Sequence, residues 1–160
     1  MAEKYGPSGG TGGGPYDIQP PIETNTTLDT TPWVISSIEF KSGAHLDSIT
    51  VAYRNIATQE IRFTPVVGGS GGGPNPPLTM EKGVHIWHFK GFFWQYVDQL
   101  TIEYGKDNPG LSYTTNWNSI GDAATDFDYE VESGKEVIGF WGRGGLYIDS
   151  IGVHVRKTIE

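Results

Sequence analysis

The chain contains no cysteine, so no disulfide framework holds it and the fold must survive on packing alone. Basic charge is scarce: eleven Lys and Arg stand scattered against nineteen Asp and Glu, leaving a net charge of −8. Nucleic acid and anionic membrane surfaces demand clustered Lys and Arg, so neither is expected as a main partner. No apolar run approaches the length that crosses a bilayer, which argues against membrane insertion. The opening MAEKYGPSGG has no basic start followed by an apolar run, so no secretory signal is visible and a cytoplasmic or nuclear location is expected. Helical periodicity is missing too. No convincing window places apolar residues at i, i+3, i+4 and i+7.

What the chain does have is 23 Gly, 10 Pro and many β-branched and aromatic residues, a composition that favours turns and strands. Period-two alternation runs through WVISSIEF, LDSITVAYR, EIRFTP, VHIWHFKG, VDQLTIEYG, YEVESG, EVIGFWG and YIDSIGVHVRK, each bounded by turn formers. An all-β, antiparallel protein is predicted, and 160 residues suit one domain.

Three of these strands begin alike, at Asp47, Asp98 and Asp149, and both 98 − 47 and 149 − 98 equal 51. Each Asp follows an apolar residue and precedes alternating apolar ones, which reads as a threefold repeat with room for about four strands per unit. Parity puts each Asp at the head of a core-facing column: Asp47 with Ile49, Val51 and Tyr53; Asp98 with Leu100, Ile102 and Tyr104; Asp149 with Ile151, Val153 and Val155. An unpaired carboxylate is costly inside, so these three are expected at the rim, where they find donors.

A glycine motif also repeats. SGGTGGGPYDI (Ser8–Ile18) resembles VGGSGGGPNPP (Val67–Pro77), while the third copy, near Asn118–Asp128, keeps only Gly121. The unmatched loop at the N-terminus implies that the first strand closes the last unit and removes exposed sheet edges. A carboxylate beside free backbone N–H groups suits vicinal sugar hydroxyls, which both donate and accept, without any metal or other cofactor.

On these motifs the chain resembles the jacalin-related lectins, whose signature Gly-x-x-x-Asp reads here Gly145-Leu146-Tyr147-Ile148-Asp149. The resemblance implies a β-prism I of three four-stranded Greek-key sheets over residues 1–160, and metal-free carbohydrate binding. Carried over by position, Asp149 accepts from sugar hydroxyls while N–H groups of Leu146, Tyr147 and Gly13 donate. Gly43-Ala44-His45-Leu46-Asp47 repeats the signature, with Gly72 as the matching donor, so a second site is expected. In the third copy Trp94 replaces the signature Gly; Asp98, Gln95 and Tyr96 remain as a weak or vestigial site. The galactose-preferring branch is cleaved in the glycine-rich region; this chain runs uncut through it, so it resembles the mannose/glucose branch. Glycans carrying those sugars are the expected partners, with a homo-oligomer, dimer or larger, supplying avidity. The alternative is a prism-fold module for proteins or polyanions that has lost sugar affinity.

Competing chemistries fit less well. His85 and His88 lie at i and i+3, opposite faces of a strand, which disfavours a shared metal. DAATDFD (Asp122–Asp128) lacks the Gly and closing Glu of a calcium loop and reads as an exposed acidic turn. The glycine runs lack the Lys-Ser/Thr ending of a phosphate loop. No nucleophile grouping or close carboxylate pair stands out, so no enzyme is expected. Asn25-Thr26-Thr27 is a glycosylation sequon, relevant only on a secretory path.

Overall fold

The alternating runs become strands in a computed structural model that describes residues 2–107, 110–116 and 124–160. Long hairpins dominate: β3 (Trp33–Ser42) with β4 (Leu46–Asn55), β9 (His85–Phe93) with β10 (Val97–Gly105), and β13 (Lys135–Gly144) with β14 (Ile148–Lys157). Each hairpin is the centre of an antiparallel sheet. β11 (Leu111–Thr114) and β12 (Thr125–Glu130) flank the middle hairpin. The first hairpin is flanked by broken strands: β5 (Ile61–Phe63) and β6 (Val67–Gly68) along β4, β7 (Gly73–Pro74) and β8 (Leu78–Thr79) along β3. Pro65 stands in one break, and Pro76 and Pro77 in the other; proline offers no N–H to a ladder.

The N-terminal strands β1 (Glu3–Gly9) and β2 (Gly14–Ile18) pair with β14 and β13, so the start of the chain completes the last sheet as expected. The edges are not removed, however. β1 and β2 are themselves the outer strands, and Pro7 and a register shift between Tyr5 and Ser8 blunt β1. Among the described residues there is no helix. Residues 118–123, with Gly121 and the start of the DAATDFD stretch, lie outside the described set. Asp126 and Asp128 are in strand β12, paired opposite Phe92 and Lys90, rather than in a turn.

The three sheets share one core. Ile49, Val51 and Tyr53, Leu100 and Ile102, and Ile151, Val153 and Val155 are all buried, as parity requires. Phe40, Phe89 and Phe140 enter from the three sheets, and the Phe89 and Phe140 rings lie 5.5 Å apart. The aspartates break this parity. Ser48 pairs with Lys41 and Leu46 with Ser42, leaving Asp47 without a partner; Asp98 and Asp149 are skipped in the same way. Each is the extra residue of a β-bulge, which turns its side chain out of the core column towards the loops. The column's head passes to the preceding residue, and Leu46, Val97 and Ile148 are fully buried. A second ring of bulges skips Ser36, Trp87 and Ile138, where 87 − 36 and 138 − 87 are again 51. The pseudo-threefold repeat is thus a property of the backbone.

Candidate functional site

The bulges place three carboxylates at one end of the prism, each under the turn joining its hairpin. Those turns are built identically: Gly43 donates to the His45 carbonyl at 2.9 Å, Trp94 to Tyr96 at 3.0 Å, and Gly145 to Tyr147 at 2.9 Å. Trp94 therefore keeps the turn that glycine makes elsewhere. The signature glycine serves space instead. A Cβ on Gly145 would lie 3.6 Å from Gly13 Cα and 4.0 Å from Asp149 Oδ1, so a bulky side chain there would stand in the cup.

In the first cup the glycine loop of residues 9–13 wraps Asp149. The Gly10 N–H donates to the Asp149 carbonyl at 2.8 Å. Any Cβ on Gly12 or Gly13 would come within 2.7 Å of a carboxylate oxygen, and Gly13 has φ +68°, so both closeness and conformation call for glycine. Arg143 fastens this loop by donating Nε–H to the Gly12 carbonyl at 3.1 Å and Nη2–H to that of Gly13 at 2.6 Å. Nothing in the sequence marks Arg143; only the fold brings it across from β13.

The second cup repeats the first. Gly69 donates to the Asp47 carbonyl at 2.9 Å, Gly71 faces Asp47 Oδ2, and Gly72, with φ +73°, presses on Oδ1. Lys41 stands where Arg143 does, opposite Pro74 as Arg143 is opposite Pro15, without a comparable hydrogen bond among the described residues. The loops also brace one another: a Cβ on Gly69 would strike the Leu146 carbonyl, and one on Gly10 that of Gln95.

The chemistry of the two cups follows from their unmet capacity. Asp47 and Asp149 are only 4% and 5% exposed, yet among the described residues no side-chain hydrogen bond reaches either carboxylate; Asp149 has a backbone N–H of its own residue. Burial pushes both carboxyl groups above the ordinary Asp value, opposed at Asp149 by Arg143 and at Asp47 by His45. Around them, N–H groups of Leu146, Tyr147 and Gly13, and of Ala44, His45 and Gly72, find no acceptor among the described residues. A largely buried acceptor beside several such N–H donors is a complement for paired hydroxyls.

The third carboxylate is not free. Asp98 lies 2.7 Å from His45 Nδ1, so an imidazole from the first turn occupies the third cup. Trp94, 57% exposed, stands over the same pocket beside Gln95. Where Asp47, Asp98 and Asp149 converge, His45, Tyr96 and Tyr147, each two residues before its Asp, pack together with centroids 4.7–5.0 Å apart. His85 and His88 go to separate partners, Glu136 for one, Glu103 and Asp128 for the other.

Residues 5–154 match the family described as "Jacalin-like lectin domain". A mannose/glucose-specific lectin of Parkia platycephala is 28% identical across 94% of this chain, which spans only about a third (31%) of that protein. Horcolin of Hordeum vulgare is 24% identical with 95% of both chains covered, and Calsepa of Calystegia sepium is 25% identical over 94% and 93%. Among solved structures, wild-type Malaysian banana lectin superposes with TM-score 0.75 at 25% identity, covering 99% of this chain and 100% of that one. Calsepa lectin in complex with a biantennary N-glycan gives 0.74 at 22% identity, with 99% and 98% covered. With its bulged aspartates, glycine cups and three-sheet prism, this chain belongs to the jacalin-like lectin domain family and has the β-prism I fold.

Proposed function

We propose that the protein is a metal-independent lectin that binds mannose- or glucose-type glycans at two cups per chain, around Asp149 and Asp47. The observation that carries this reading is the twice-built pairing of a buried carboxylate with backbone N–H groups that, among the described residues, meet neither a side-chain donor nor an acceptor respectively. Adjacent hydroxyls of one pyranose satisfy both at once: they donate to the carboxylate in a charge-assisted pair and accept from the amides. The relatives named for mannose and glucose support this sugar class. Leu146, 81% exposed, and Tyr147 at one cup, and His45 at the other, give the two mouths different walls. Shallow single sites of this kind bind with Kd of about 0.1–1 mM, or −4 to −5.5 kcal/mol. Two cups per chain, multiplied by self-association, raise avidity by roughly 10²–10⁴-fold on branched glycans.

A glycan array probed with and without EDTA tests the reading: signal on mannosides is expected, unchanged by the chelator. Absence of signal on any mannoside or glucoside, or its loss with EDTA, overturns it. A second result is expected from Gly72→Ala. The new methyl would collide with Asp47 Oδ1 in a left-handed backbone, costing about 1–3 kcal/mol of stability. It should also silence the second cup alone, seen as selective loss of mannoside-induced NMR shifts around Asp47.

A further inference from the structure

In the third cup the carboxylate is met by a side chain of the neighbouring turn. We propose that Asp98 is a positioning residue for the second cup, acting through His45; this rests on the two-cup reading above. His45 belongs to two sites at once. It stands in the turn above Asp47, where its carbonyl accepts from Gly43, while its ring is tied to Asp98 at 2.7 Å and packs against Tyr96 and Tyr147. A three-residue turn holds its amides in place only as firmly as its middle is held. Asp98 is 6% exposed and has been spent on that restraint. The first cup obtains its restraint elsewhere, from Arg143 on the Gly12 and Gly13 carbonyls. The two cups are therefore tightened by different devices: a guanidinium across the glycine loop in one, an imidazole–carboxylate pair under the turn in the other.

The test reads each cup alone, by NMR titration with methyl α-mannoside. With Asp149→Asn silencing the first cup, adding Asp98→Leu is expected to weaken the second by about 3- to 10-fold, the worth of one lost hydrogen bond. Asp98→Asn keeps an oxygen that accepts from Nδ1–H and should restore binding, which a residue gripping sugar by its charge would not do. His45→Ala, approached from the other side of the pair, should match Asp98→Leu, and the double variant should be no weaker than either. With Asp47→Asn silencing the second cup instead, Asp98→Leu should weaken the first less than it weakens the second, because Tyr147 only packs on the His45 ring while Arg143 holds that cup's glycine loop. The ¹⁵N spectrum of His45 supplies a reading without sugar: Nδ1 protonated in the wild type and Asp98→Asn, and not held so in Asp98→Leu. Unchanged second-cup affinity in Asp98→Leu, equal loss at both cups, or failure of Asp98→Asn to restore binding would overturn the proposal. Absence of any second-cup binding with Asp98 intact would instead overturn the two-cup reading.

Discussion

Asp149→Asn is expected to lower mannoside affinity at the first cup by about 100-fold or more, while leaving the melting temperature at pH 7 unchanged or higher. The binding loss follows from exchanging an ionised double acceptor for an amide that accepts with one atom and presents donors to the rest. Hydrogen bonds to a charged group are worth about 1.5–3 kcal/mol, and two are affected. The stability half has the opposite sign. Burial raises the Asp149 carboxyl above its ordinary value, so the folded state holds the proton more tightly than the unfolded chain. That contribution is fully present below the unfolded pKa and is lost as pH rises through the folded one. At neutral pH the ionised carboxylate is thus a cost, which the Asn variant does not carry. Asp47 is raised by the same cause, so Asp47→Asn should behave likewise at the second cup. Thermal scans at pH 7 and pH 4 beside NMR titrations check both halves. A variant that loses both binding and stability at pH 7 would make the carboxylate a structural group.

The largest stability effect is expected at the far end of β14. Arg156 is fully buried and donates to the carbonyls of Leu28 and Thr31 at 3.1 Å and of Trp33 at 2.6 Å, with Nε–H directed to Glu136 at 3.4 Å. Glu136 is itself 4% exposed and bonds His85, whose imidazole it raises above the ordinary histidine value. Arg156→Ala strands three carbonyls and leaves Glu136 with the histidine alone. Breaking a buried pair by removing one partner costs about 3–5 kcal/mol. In a chain of this size that lowers the melting temperature by roughly 10 °C. Lysine should not rescue it, because one ammonium cannot reach groups arranged for a planar fork. His85 contributes stability below its unfolded pKa that is lost as pH rises through the folded value, so the variant, leaning on that pair, should be most impaired on the alkaline side. The first cup lies seven residues up the same strand, ~23 Å away at the usual rise, and should keep its affinity.

These two sites also show what the sequence could and could not reveal. The cups were legible because each half carries its own mark and both halves repeat: a carboxylate at a fixed offset from a hairpin-turn glycine, and a glycine loop elsewhere in the chain, although the fold joins Gly10 to Asp149 from opposite ends of the chain. Strand parity placed Ile49, Leu100 and Ile151 correctly, yet it put the aspartates on the same face, since a bulge leaves no mark on the apolar alternation. Arg156 was invisible for a different reason. Its partners are carbonyls contributed by residues 28–33, and a backbone oxygen has no letter in a sequence. Arg143 and the His45–Asp98 pair are equally non-local, joining residues 131 and 53 positions apart. Trp94 marked the third copy as the departure from the signature, but the sequence did not show what it changes: the turn persists and what is lost is room.

The central claim is that a mannoside is gripped jointly by a bulged aspartate and bare glycine-loop amides, at two of three equivalent places. A crystal soaked in methyl α-mannoside tests it most directly. The account predicts density in the Asp149 and Asp47 cups, with Asp98 still bound to His45. Sugar seated away from both cups, or in the Asp98 cup with the imidazole displaced, would contradict it.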